Sequence, residues 1–290
     1  MEVAENSLEL VRARLGLGSV QNNVDGLREF YRAWCLNVPF DNLRKSGIMF
    51  GDPKAPLPNI DANVFFDDWL SHGIGGTCWQ HGDAIYTAAK AFGFDARRGS
   101  GSMFDGGDQN HATVLVRLPD GSNWILDNAF LNLEPLRIDS EEPSVCSSPV
   151  HFAEVEVDGD AIFVHGTHPP LPWIFFRLLE RDLTYEDYVR QWDLLGPKGP
   201  FNAGLHIRRS EPHRVVSIRG ANLIVLDDQG LRVEPLDAEG IKRQLRETFG
   251  ISKEFVEEWA ASGALEASLA PASPPPPLPE RVPPSKRGHV

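Results

Sequence analysis

Between Gly73 and Asp127 the chain switches from a helical to a strand-like pattern, and that switch dictates which reactive side chains can meet. Gly73-Ile74-Gly75-Gly76-Thr77-Cys78 leads into Ile85, Ala88, Ala89 and Phe92, the i, i+3, i+4, i+7 spacing of a helix that buries one face. Gly93 closes that pattern, because a residue free to take a positive φ commonly follows a helix. From Ala112 to Leu118 the sequence becomes β-rich, Pro119-Asp120-Gly121 reads as a turn, and Asn123 to Asp127 as the returning strand. A chain built this way carries Cys78 at a helix N-terminus, and His111 and Asp127 at the open end of a hairpin.

The free N–H groups and positive dipole end of a helix start favour thiolate over thiol at Cys78. Gly75 and Gly76 lack side chains, so they let a substrate carbonyl approach the sulfur and leave backbone N–H groups for an oxyanion. With a three-residue hairpin loop, Asp127 opposes Thr113 and shares a face with His111 one diagonal step away, about 7–8 Å between Cα atoms. A two-residue loop breaks that parity unless a bulge restores it. Singly, each residue also has an ordinary reading: cysteine as a small buried hydrophobe, and a strand-end His or Asp as a solvent-facing or capping group. Together, Cys78, His111 and Asp127 supply a nucleophile, its base and the carboxylate that orients the base, which points to covalent acyl chemistry.

Composition narrows the setting. A length of 290 residues with 41% hydrophobic content is enough for one large core or for two or three small ones. A formal charge of −13 argues against nucleic acid, whose phosphates need a face of clustered Lys and Arg. The start, Met1-Glu2-Val3-Ala4-Glu5, has no basic and apolar leader, and no apolar run reaches about 18–20 residues, so a cytoplasmic protein with no membrane partner is expected. Three cysteines, Cys35, Cys78 and Cys146, cannot all pair, which suits a reducing compartment. Cys35 ends a helical segment with Leu27, Phe30, Tyr31 and Trp34 at core spacing, and Cys146 lies in a loop-like stretch with no helix start. Metal is not expected: His165 and His168 give H-x-x-H, and Asp105 and Asp108 supply two carboxylates, but no third ligand follows at a recognisable spacing. Asp105 to Gln109 reads instead as a glycine-containing loop leading to His111.

Along the chain, helical patterns run to the Cys78 helix, and short strands alternate with Gly, Asp and Pro turns from Ala96 to about Val164. Pro169-Pro170-Leu171-Pro172 reads as a connector before a helix over Tyr185 to Leu195. Strands over Val215 to Ile218 and Leu223 to Leu226 then precede a helix over Ala238 to Phe249. From Glu266 the sequence turns proline-dense and locally basic, the composition of a disordered or polyproline II tail. Such a tail serves equally as an inert end or as a dock for a proline-binding partner.

The chain resembles the arylamine N-acetyltransferase family. Its cysteine follows a glycine pair, Val38-Pro39-Phe40-Asp41-Asn42-Leu43 is similar to the family's V/I-P-F-E-N-L segment, and Leu126-Asp127-Asn128-Ala129-Phe130 to its L-D-V-G-F segment. Gly199-Pro200-Phe201-Asn202 is a looser echo, and the similarity runs from about residue 8 to about residue 255. The chain departs where the family has Arg before the glycine pair and C-[FW]-E-x-N after it: Ile74, Gln80 and Gly82 stand in those places, which marks a divergent member. The family's Arg is implied to pair with the glutamate whose place Asp41 takes, so Asp41 needs another partner or a wetter position.

The resemblance implies an α+β, three-unit, cysteine-protease-like fold. Its parts are an N-terminal helical bundle (1–95) carrying the nucleophile, a central β-barrel (96–204) carrying the His and Asp, and a C-terminal α/β lid (205–265), before the Pro-rich tail (266–290). It also implies transfer of an acetyl or other short acyl group from acetyl-CoA or another acyl-CoA, through a thioester on Cys78, to an arylamine, hydrazine or similar amine. Phe40, Trp79, Phe104 and Phe130 are the aromatic candidates for the acceptor pocket, with ordinary core packing as the other reading. Arg97, Arg98, Arg208 and Arg209 are candidates for donor phosphates by charge alone, or solvated surface groups. Three further functions remain open: an amide synthase taking its acyl chain from an acyl carrier protein, a non-catalytic binding protein with this fold, and a Cys-His-Asp hydrolase.

Overall fold

The computed structural model describes residues 5–142, 144–148, 150–270 and 280–287. The first part is helical: α1 (Glu5–Leu15), α2 (Val24–Asn37), a short strand β1 (Phe40–Asp41), α3 (Leu43–Gly51), α4 (Ala62–His72) and α5 (Cys78–Ala91). Side-chain caps fix where the helices begin, with Asn23 accepting from the N–H of Gly26 for α2 and Asp61 from Asn63 for α4. Gly73, at φ 77°, terminates α4 in the left-handed conformation and hands the chain to the Gly75-Gly76 segment. α5 ends where expected, with Gly93 at φ 90° just past it.

The eight-stranded sheet, in the order β5-β4-β3-β2-β9-β8-β7-β6, curls nearly closed, so that β5 comes into contact with β7. Its strands are β2 (Asp95–Met103), β3 (His111–Arg117), β4 (Asn123–Leu126), β5 (Leu136–Arg137), β6 (Val145–Ser147), β7 (Phe152–Asp158), β8 (Ala161–His168) and β9 (Leu171–Leu183). Leu118 bonds Ser122 across a three-residue loop, Val114 faces Leu126, and the same register carried one step on sets Asp127 opposite Thr113. The β3–β4 hairpin is two-faced, as its period of two demands. Val114, Val116 and Leu126 join Trp34, Trp69 and Ile85 in the helical core, while Leu115 and Ile125 join Phe130, Val164 and Phe176 inside the barrel.

One sequence expectation fails here. Pro169–Pro170 is the turn between β8 and β9, not a connector to α6, and the 13-residue β9 pairs with both β2 and β8 at the centre of the sheet. The stretch Trp173, Ile174, Phe175, Phe176 has strong β propensity, and the prolines bend the chain where no ladder bond is needed.

After α6 (Tyr185–Leu195), the lid begins with β10 (His206–Glu211), β11 (Arg214–Arg219), β12 (Asn222–Asp227) and β13 (Gly230–Pro235). β1 adds to this sheet beside β10, tying the helical part to the lid. α7 (Ala238–Glu247), α8 (Lys253–Trp259), a π turn (Ala260–Ala264) and α9 (Leu265–Leu269) follow. Ile207, Val216 and Ile218 pack against Ile241, Leu245, Val256 and Trp259. The alternate residues, His206, Arg208, Ser210 and Ser217, are also buried, which gives the lid sheet a polar face.

The tail departs from the disordered stretch expected over 266–290. Residues 265–269 are helical, and Glu280 to Arg287 lie along the barrel, although 271–279 and 288–290 fall outside the described residues. Arg281 pairs with Glu156 and Asp158 and covers the Phe163 ring, Ser285 donates to Glu154, and Arg287 pairs with Glu156. The basic composition that reads as a solvated end thus meets the acidic strand β7. Among the described residues, no helix is long and apolar enough to cross a membrane.

Candidate active site

Cys78 is the first residue of α5 and only 6% exposed, His111 is the first residue of β3, and Asp127 follows β4 directly. Packing α5 against the β3–β4 hairpin brings the three together. The Nε2 of His111 lies 2.7 Å from Asp127 Oδ2, which leaves Nδ1 as the ring nitrogen for Cys78, a residue close enough to help raise the ring's pKa. Asp127 is itself held: Oδ1 accepts the N–H groups of Ala129 (3.0 Å) and Phe130 (2.7 Å), and its backbone carbonyl accepts from the Tyr31 hydroxyl. Burial pushes the His111 imidazolium down, but Asp127 and Cys78 together outweigh burial and hold its pKa at about 10. The ring is seated against Phe176 at a 4.4 Å centroid separation and stacked on Phe130 at 6.3 Å.

The other cysteines differ in kind. Burial pushes the Cys35 thiol up to about 12 and the Cys146 thiol to about 11, and neither lies at a helix start beside a histidine.

The departures from the family pattern each have a local explanation. Ile74 is fully buried in the lid's apolar core with Leu43 and Ile218, a place that suits no free charge. Asp41, 1% exposed, finds its partners in the backbone instead, accepting the N–H of Gly75 at 2.6 Å and of Leu43 at 3.0 Å. Burial drives its carboxyl up to about 7, with those two amides opposing the rise. A Cβ at Gly75 would stand 1.9 Å from the Pro39 carbonyl oxygen, so this glycine is required by protein packing, and the room expected there for a substrate carbonyl is taken. A Cβ at Gly82 would meet the Tyr188 hydroxyl at 2.2 Å and Asn128 Nδ2 at 3.0 Å. Those groups use the space to hold the start of α5: Tyr188 donates to the carbonyl of Trp79 at 2.8 Å, and Asn128 to that of Cys78 at 2.9 Å. Gln80 accepts the Thr77 hydroxyl at 2.7 Å, and its buried Nε2 has no partner among the described residues.

The aromatic candidates separate. Phe130 stacks on His111. Phe40 is buried and packs against His81, Phe201 and His206, and Trp79 packs edge-on against Tyr188. Phe104 is 46% exposed and contacts Phe175, whose neighbours are Phe163 and His165, the strand face away from His111. Among the arginines, Arg98 is paired to Asp83, Arg97 to Asp95, and Arg209 donates to the carbonyl of Thr248. Arg208 alone is drawn inward, 1% exposed, donating to the Thr167 carbonyl at 2.9 Å. The two histidines of H-x-x-H part company, His165 bonding Glu156 while His168 stacks on His206.

Sequence reasoning missed the company Arg208 keeps. His206 and Arg219 are opposite one another across β10 and β11, Arg208 lies on the same face, and His206 Nε2, Arg208 Nε and Arg219 Nε are buried without partners among the described residues. The alternation of polar with apolar residues over 206–219 was the available signal, and it takes a known strand pairing to read it.

A family model described as N-acetyltransferase matches residues 23–257. Among solved structures, the fold is similar to that of an arylamine N-acetyltransferase from M. tuberculosis (TM-score 0.74, 20% identity, 90% of this chain and 98% of that one). It is similar also to the Mycobacterium marinum enzyme in complex with CoA (0.74, 20%, 90% and 98%) and to the Salmonella typhimurium enzyme (0.72, 18%, 90% and 100%). No curated protein matches the sequence.

Proposed function

The chain belongs to the arylamine N-acetyltransferase family, and on that premise we propose that it moves an acetyl or other short acyl group from acyl-CoA, through a thioester on Cys78, to an arylamine, hydrazine or similar amine. The observation that carries this reading is His111 bonded to Asp127 at 2.7 Å beside Cys78, with its own pKa raised to about 10. A ring so placed can hold the proton that the thiol gives up as the sulfur attacks.

The Cys78 thiolate attacks the donor's thioester carbonyl, and the oxyanion forms beside the α5 start, where no side chain caps the first-turn N–H groups. The carbonyl reforms as the carbon–sulfur bond to CoA breaks, and His111 supplies the proton that the departing thiolate takes. An amine then attacks the acyl-Cys78 carbonyl, His111 accepts its proton, and the amide leaves with the Cys78 thiolate regenerated. Asp127 keeps the ring oriented throughout and offsets its charge. Arg208 and Arg219, whose Nε groups have no partner among the described residues, give the lid's polar face a positive character that favours an anionic donor such as a CoA thioester.

The test is intact-protein mass spectrometry after mixing with acetyl-CoA and no amine. An acetyl adduct that is absent in Cys78→Ser and discharged by an arylamine is expected. An unmodified protein, or an adduct that survives Cys78→Ser, would overturn the proposal.

A further inference from the structure

Beside the α5 start lies a small cavity of about 20 Å³, room for one water-sized group, lined by Asp41, Lys45, Phe65, Gly76, Thr77 and Gln80 among others. Two of these residues carry N–H donors that have no hydrogen-bond acceptor among the described residues. Gln80 is 94% buried by its 6% exposure, its oxygen is taken by Thr77, and its Nε2 has no partner among the described residues. Lys45 is 4% exposed and, among the described residues, has no hydrogen bond or ion pair; its ammonium rests 5.1 Å over the Trp192 ring. The other charges around the cavity are already matched: Asp68 binds Arg44, and Asp41 is taken by the amides of Gly75 and Leu43. Burying an ammonium this way is costly, and burial indeed lowers its pKa to about 8, with the Cys78 charge acting the other way. Lys45 and Gln80 thus share one cavity with Gly76 and Thr77, the residues that lead directly into Cys78.

We propose that Lys45 and Gln80 form a subsite for a carboxylate carried by the acyl chain on Cys78, so that the protein prefers carboxylated acyl groups of the malonyl or succinyl kind. A carboxylate offers two acceptor oxygens, one for the buried Gln80 amide and one to neutralise the Lys45 ammonium, and a cavity of this size admits one such oxygen but no aromatic ring. An acetyl group leaves both donors unsatisfied, and a site with buried polar groups rejects ligands that cannot pair them. The assignment of the acyl chain rests on the acyl-transfer reading above.

Alkylation of Cys78 tests the subsite independently of any acyl donor. Iodoacetate carries a carboxylate and iodoacetamide does not, and both displace iodide at the same sulfur. The ratio of their rate constants is expected to fall about tenfold in Lys45→Met and severalfold in Gln80→Leu, the second without any change of charge. An unchanged ratio, or two rates that fall in parallel, would overturn the proposal, since parallel loss means that Lys45 acts on the thiolate alone. In the second arm, malonyl-CoA should acylate Cys78 faster than acetyl-CoA, with the preference lost in Lys45→Met. If the alkylation ratio responds but no acyl-CoA labels Cys78, the acyl-transfer reading fails and the carboxylate subsite stands. If acetyl-CoA labels Cys78 and the ratio does not respond, the reverse holds. A Lys45 dependence confined to a carboxylated amine such as 4-aminobenzoate would overturn the assignment to the acyl chain.

Discussion

The two sides of Cys78 are finished to different degrees. On the hairpin side His111 Nε2 is bonded to Asp127 and both carboxylate oxygens of Asp127 are engaged. On the α3 side the amide nitrogen of Gln80 is buried without a partner, and Lys45, largely buried over Trp192, makes no hydrogen bond or ion pair, among the described residues. A fully bonded constellation needs no reorganisation when it reacts, which suits the chemical step; an unsatisfied one is completed by a ligand, which suits selection. The sharpest way to break this contrast is to injure each side and ask whether rate and stability respond differently.

The largest effect is expected on the bonded side. Asp127→Asn keeps the shape but presents an amide to His111 Nε2, so the ring loses its orienting charge, and turnover should fall by roughly 10³–10⁴ while the fold persists. Steady-state turnover beside a circular-dichroism melt checks this, and a folded variant with wild-type turnover would sink the role given to Asp127. The same pair has a signature in pH. The folded pKa of His111, at about 10, lies above its ordinary 6.5, so the stability it contributes is fully present below pH 6.5 and is lost as pH rises to about 10. Urea titrations of wild type and Asp127→Asn across that window should show the decline in wild type and a flatter profile in the variant.

The hairpin side was also the legible one. The three-residue turn Pro119-Asp120-Gly121 and the alternation on either side of it fix the register, and the register fixes where Asp127 falls relative to His111. β9 was not legible, because two prolines before an apolar run look like a connector until the partners of that run on β2 and β8 are known. Lys45 gave no signal at all. A lysine two residues past Leu43 reads as the solvated face of a helix, and only the packing of α3 beneath Trp192 and against the α5 start buries it. Gly82 and Asn128 likewise look like losses from the family pattern when read one at a time. In the structure they are complementary, the missing side chain on α5 making room for the amide that holds the Cys78 carbonyl.

On the unsatisfied side the expected sign is opposite. The Lys45 pKa of about 8 lies below its ordinary 10.5, so the charged form opposes folding below pH 8, and that penalty fades as pH rises toward 10.5. Lys45→Met removes the buried charge and keeps most of the stem, and it should raise stability by roughly 2–3 kcal/mol at pH 7. Denaturant unfolding at pH 7 and pH 10 checks both parts, since the gain should shrink at the higher pH. A destabilised Lys45→Met would mean that the ammonium is already well paired, and the contrast between the two sides would disappear.

The smallest effect is expected far from both sides, at the tail. Arg281 and Arg287 converge on Glu156, which also bonds His165, so the Glu280–Arg287 segment is pinned at one acidic point on β7 and β8. Both arginines are partly exposed, and ion pairs of that kind are worth about 1 kcal/mol or less each. The double variant Arg281→Ala, Arg287→Ala should therefore lower the melting temperature only slightly and leave the rate of Cys78 acylation unchanged. This test separates two ideas of what the segment does. If it only covers the barrel wall over Phe163 and Phe152, stability moves and chemistry does not. If acylation slows as well, the tail reaches the catalytic centre through the strands it braces, because β8 carries both His165, which bonds Glu156, and His168, which stacks on His206 of the lid.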